Sequence, residues 1–219
     1  MSVSGESLYR PEQVSAVSDR LVILSGCSGG GKSTLLAELG RRGLAVYEEP
    51  GRQLVKEQLF IGGDALPWAD IDGFIALTVS RAIYNLVSAA RAGRPTGFDR
   101  GIIDQIAGLE QLGRPVPPAL ATAAERFPCH RRVFLVPPWP EIFAGDRERR
   151  HSFAAAVEAY EGLRQAYERR GYETMLLPKT DVAARADFML DALGAGWLSG
   201  ASVSGERRGV PAGEASRSL

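Results

Sequence analysis

Apolar residues along this chain fall into two kinds of run. Five are short: Leu21–Ser25, apolar on both faces, then Leu44–Tyr47, the less apolar Thr96–Phe98, Arg132–Val136 and Glu173–Leu177. Runs of that length, without strict alternation, predict strands covered on both sides, as in a parallel sheet. Between them lie longer stretches whose apolar positions recur every three or four residues, predicting helices. These extend from the glycine-rich turn near residue 30 to about Arg42, where Gly43 is a plausible stop, then over Arg52–Phe60 and from Asp70 to about Ala92. Others cover Ile102–Leu112, Pro117–Arg126, residues 151–170 (Phe153, Val157, Tyr160, Leu163, Tyr167), and Val182 to about Leu193. In the Asp70–Ala92 helix, Phe74, Leu77, Arg81, Tyr84 and Val87 fall near one helical spacing. Residues 1–19 are polar and read as a loose arm, 20–198 as one α/β domain, and 199–219 as a disordered Gly/Ser-rich tail. Trp68, in the loop 61–68, reads as a core cap or a pocket wall.

Between the first strand and first helix lies Gly26-Cys27-Ser28-Gly29-Gly30-Gly31-Lys32-Ser33-Thr34. It completes the pattern G-x-x-x-x-G-K-S, the signature of a phosphate-binding loop. Glycines permit positive φ and bring backbone N–H groups close to phosphate oxygens. A helix opening at Lys32 aims free N–H groups and a positive dipole end at the same point. Lys32 supplies a charge for the β and γ phosphates, and the Ser33 hydroxyl can ligate Mg²⁺. The chain has only three lysines. A shuffled chain of this composition would contain the pattern roughly once in 300 trials.

The carboxyl ends of the other strands carry further candidate chemistry, since ligands in open α/β sheets bind outside those ends. After the second strand come Glu48, Glu49 and Arg52, which read either as groups that hold a substrate or as a solvated acidic turn. After the third comes Asp99-Arg100. Asp99 is a candidate Mg²⁺ partner or general base, Arg100 a holder of anionic groups, and the bland reading of Asp99 is a helix cap. Arg81 and Asn85 lie four apart on one helix face, which looks either into the cleft or to solvent. After the fourth strand, Asp146–His151 is dense in arginine; Arg147, Arg149 and Arg150 suit a lid that stabilises a transferring phosphoryl group.

Composition narrows the partners. Formal net charge is zero, which argues against nucleic acid and against bulk attraction to a membrane. No apolar stretch approaches the roughly 20 residues a membrane span needs. No export signal is visible, so Cys27 and Cys129 read as free thiols of a cytoplasmic protein. His130 and His151 have no metal-site spacing.

The motifs together resemble the small bacterial AAA-family ATPases that lie closest to the kinase branch of phosphate-loop proteins, a group to which the ribosylnicotinamide kinase domain of NadR is related. The resemblance rests on Gly26–Thr34, Glu48-Glu49-Pro50-Gly51-Arg52, Phe98-Asp99-Arg100-Gly101, Val133-Phe134-Leu135 with Pro137-Pro138-Trp139, Asp146–Arg150, and the ending from Gly171 to Asp181. The acid after strand two and the Asp-Arg after strand three are also similar to thymidylate and deoxynucleoside kinases, where they face the phosphoryl acceptor. The resemblance implies the three-layer P-loop NTPase fold, with a five-stranded parallel sheet of order 2-3-1-4-5. It implies an ATP- and Mg²⁺-dependent phosphotransferase for a small metabolite or nucleoside-like acceptor, as monomer or homodimer. Gly26–Thr34 would hold the phosphates, Ser33 and Asp99 the metal, Glu48, Glu49, Arg52 and Arg81 the acceptor. Pro178–Thr180 would lie near the adenine. The alternative is an NTP-hydrolysing switch acting through a partner protein.

Overall fold

The computed structural model describes residues 9–143 and 153–199. Five parallel strands, β1 (Leu21–Gly26), β2 (Ala45–Tyr47), β3 (Thr96–Asp99), β4 (Arg132–Val136) and β5 (Glu173–Leu176), form one sheet of order β2-β3-β1-β4-β5. This is the implied fold. The helices are α1 (Lys32–Arg41), α2 (Pro50–Ile61), α3 (Ile71–Ala92), α4 (Ile102–Gln111), α5 (Pro118–Arg126), α6 (Pro140–Phe143), α7 (Phe153–Glu168) and α8 (Val182–Leu193).

The strands explain why two cores form. All six residues of β1 are buried. Successive side chains on a strand point to opposite faces, so Leu21 and Ile23 join a core with α3, α4 and α7, while Val22 and Leu24 join another with α1 and α8. β4 divides likewise, Val133 and Leu135 against Phe134 and Val136. The β1–β3 register pairs Leu24 with Asp99, and the β1–β4 register pairs Gly26 with Val136. Asp99 therefore ends its strand opposite Leu24, two residues before the glycine loop begins.

Several local expectations shift. The arm predicted over residues 1–19 is ordered in its second half: Pro11–Arg20 forms 3-10 turns kinked at Val17, with Val14 fully buried. Arg20 Nη1 donates to Gly93 O at 2.9 Å, and Asp19 O accepts from Trp197 Nε1 at 2.8 Å. Val14 and Val17, both packed on the core, and these two hydrogen bonds anchor it. Helix α2 begins at Pro50, two residues early, because proline is pre-set for the first helical turn. Trp68 is 66% exposed and does not cap the core.

Helix α3 departs furthest. Its buried residues are Ile75, Thr78, Ala82, Asn85, Leu86, Val87 and Ala89, whereas Leu77 and Tyr84 are exposed. Apolar residues occur all round this helix, so spacing alone does not choose the face. The small Ala82 and Ala89 allow the close approach that larger side chains would block. The helix also departs from the expectation that no apolar stretch nears the length of a membrane span. By length and composition α3 passes that test, at 22 residues and mean hydropathy 1.3, yet it packs within the fold against α2 and the Pro11–Arg20 segment.

Candidate active site

The glycine loop is built as its sequence requires. Gly26 has φ of 108°, and a Cβ there would lie 2.4 Å from Val136 O. The close approach of β4 thus excludes any side chain. Cys27 N donates to Val136 O at 2.9 Å, fastening the loop to β4. Gly29 and Gly31 also have positive φ, and Gly31 is the N-cap of α1 without any side-chain cap. The opening N–H groups of a helix have no partner within it. Among the described residues no side chain caps them, the arrangement that helix N-termini which bind anions share.

Lys32 lies behind this loop, 6% exposed, with Nζ donating to Cys27 O at 3.1 Å. Burial, followed by the Arg100 charge, lowers its pKa from 10.5 to about 8. An ammonium held at that cost gains from any anion brought to the loop.

Asp99, 3% exposed, faces the same region. Burial raises its pKa, offset in part by Lys32. Its Oδ1 is buried without a hydrogen-bond partner. Buried polar atoms are nearly always bonded, so this oxygen is an acceptor awaiting a donor or a cation. Ser33 and Asp99 line one cavity of about 390 Å³ together with Glu48, Glu49, Arg52 and Lys56. Ser33 and Asp99, expected at magnesium, and Glu48, Glu49 and Arg52, expected at the acceptor, thus share a cleft, and the orphaned oxygen with a hydroxyl on the same cavity fits a hard cation.

Arg100 occupies the left-handed region at φ of 68°, a costly conformation for a non-glycine residue. Its own N–H donates to Leu24 O at 2.9 Å. Its Nε donates to Glu49 Oε1 at 3.1 Å and its Nη1 to Asp104 Oδ1 at 2.9 Å. Burial would lower the Arg100 pKa, but Glu49 and Asp104 more than reverse this and raise it. Glu49 also approaches Arg52 at 3.7 Å.

Asp104 was not singled out in the sequence. It accepts from Ser25 Oγ at 2.5 Å, Arg100 Nη1 at 2.9 Å, Gly101 N at 2.8 Å and Tyr167 Oη at 2.6 Å. It therefore joins β1, the end of β3 and α7 around Arg100. The available signal was its place three residues after the helix start at Gly101, where a carboxylate returns to the N-cap N–H. Arg185 of α8 was also missed, and nothing marked it. Its Nη1 donates to Gly30 O at 3.0 Å, and its guanidinium lies 5.8 Å from the Trp139 ring centroid.

Arg81 does not join the cleft. It pairs with Glu57 through Nη1 at 2.6 Å and Nη2 at 2.9 Å. Asn85, one turn on, lines a separate void of about 10 Å³ with Glu48, Asp99 and Arg100, which border it from the cleft side. Arg147, Arg149 and Arg150 lie outside the described residues.

A glycine loop after the central strand of a 2-3-1-4-5 sheet, with a carboxylate at the end of the neighbouring strand, defines a nucleotide-binding P-loop protein of kinase-like fold. Residues 21–185 match the AAA_28 family model, described as an AAA domain, and the chain belongs to that family. No curated protein matches it. Among solved structures it is similar to the NadR protein in complex with NR, at TM-score 0.61 and 18% identity over 88% of this chain. The chain spans 55% of the length of that NadR chain. It is also similar to thymidylate kinase from Ehrlichia chaffeensis, at TM-score 0.54 and 14% identity, covering 79% of this chain and 97% of that one.

Proposed function

We propose that this protein is an ATP- and Mg²⁺-dependent phosphotransferase that moves the γ-phosphoryl group to a hydroxyl of a small, nucleoside-like acceptor. The observation that carries the reading is the Asp99 carboxylate, buried beside Lys32 with Oδ1 unpaired, in one cavity with Ser33, Glu48 and Glu49. Loop glycines and the α1 N–H groups hold the phosphates, and Lys32 neutralises them. Ser33 and Asp99, which line one cavity, would hold magnesium, which when bound supplies further charge neutralisation at the phosphates. Asp99, in the same cleft as Glu48 and Glu49, is also the candidate base for the acceptor hydroxyl. Glu48 and Asn85 orient the acceptor. Arg100, fixed by Glu49 and Asp104, faces the charge that develops on transfer.

The experiment is incubation of the purified chain with γ-labelled ATP, Mg²⁺ and a metabolite pool. Label appearing in a new phosphorylated compound is the expected result. Label released only as free phosphate, whatever the pool, would contradict transfer and favour a hydrolytic switch.

A further inference from the structure

A second cavity, of about 530 Å³, opens on the other side of Arg100, between α4 and α7 and against the start of the glycine loop. That volume is in the range of small-molecule sites. Its walls are small: Ala107 and Gly108 from α4, Ala156 and Ala159 from α7. Gly108 is the first informative residue. Glycine inside a helix costs about 1 kcal/mol relative to alanine, and a Cβ built there would meet nothing within 4 Å. Packing does not require this glycine; its effect is to leave the cavity wide.

Tyr160 is the second. It is 4% exposed and lines the cavity, and its hydroxyl has no hydrogen-bond partner. Buried tyrosine hydroxyls usually find one. Gln111 adds an amide to the same wall. The charges at the cavity's edge are already answered: both oxygens of Asp104 accept hydrogen bonds, and Arg100 pairs with Glu49 and Asp104.

We infer that this cavity binds an uncharged heteroaromatic ring, the base of the nucleoside-like acceptor, with the Tyr160 hydroxyl and the Gln111 amide as its polar contacts. Flat walls of alanine and glycine suit a planar ring, paired edge charges disfavour an ion, and two neutral polar groups suit ring nitrogens and carbonyls. The word acceptor rests on the phosphotransferase reading; the ring site does not.

The test is calorimetric titration of the full chain, saturated with ADP and Mg²⁺ so that the nucleotide's own base site is filled. Adenosine, inosine, cytidine and thymidine are the probes, with ribose as the ringless control. At least one nucleoside should bind while ribose does not. Gly108→Leu, which fills the cavity, should weaken that binding about tenfold or more. Tyr160→Phe should weaken it about two- to tenfold, with ADP affinity in both variants within about twofold of the parent. Should Gly108→Leu fail to fold, Tyr160→Phe and the milder Gly108→Ala decide the matter. The inference is overturned if no nucleoside binds, if these variants bind it unchanged, or if they weaken ADP instead. A nucleoside that binds in this way but takes no phosphoryl group from ATP would support the cavity and contradict the transfer reading.

Discussion

Two buried carboxylates five residues apart are treated in opposite ways. Asp104 has both oxygens engaged, by a serine, an arginine, a backbone N–H and a tyrosine. Asp99 has a buried oxygen with no partner and a pKa raised by burial. A saturated carboxylate holds geometry, and here it holds Arg100 in a backbone conformation that most residues avoid. An unsatisfied one is a standing cost to the fold, relieved when a donor or cation arrives. The chain spends satisfied polar groups on the frame of the cleft and leaves unmet ones where ligand chemistry is proposed.

The comparison can be broken by substitution. Lys32→Ala should have the largest effect, abolishing nucleotide turnover by about a thousandfold or more because the only buried ammonium at the loop is lost. A coupled ADP-release assay reads this. Asp99→Asn should lose at least about a hundredfold in turnover while ATP affinity is kept. Asp104→Ala should instead strike stability, by about 3 kcal/mol in urea denaturation, because it strands Arg100, Ser25 and Tyr167 together. Its effect on turnover runs through Arg100 and should be smaller than that of Asp99→Asn.

The gentlest probe is pH. Burial and Arg100 hold Lys32 at a pKa of about 8. Without nucleotide, the cost of its charge is present at neutral pH and fades as pH rises from about 8 towards the unfolded value of 10.5. Phosphate binding needs the protonated amine. ATP affinity should therefore fall about tenfold per pH unit above about pH 8, measured by titration calorimetry. Affinity that is flat over that range would separate Lys32 from the phosphates.

How much of this was legible beforehand follows the same physics. Strands and the loop were readable because β1 and β4 are apolar on both faces and Gly26–Thr34 has a spacing few sequences meet by accident. Asp99 and Arg100 were visible as a carboxylate and a cation at a strand end. The buried face of α3 was not, since a helix with apolar residues all round carries no directional signal. Asp104 was hidden because its partners come from three different segments, and only Arg100 and Gly101 lie near it in sequence. Arg81 was misplaced for a related reason: Glu57, on α2, captures it before it reaches the cleft.

The most direct measurement takes turnover and thermal melting of nucleotide-free Asp99→Asn from one preparation. If the unmet oxygen is kept for ligand chemistry, removing its charge should leave the melting temperature equal or higher while turnover falls at least about a hundredfold. Turnover near that of the parent, or a melting temperature lowered as for Asp104→Ala, would contradict the account.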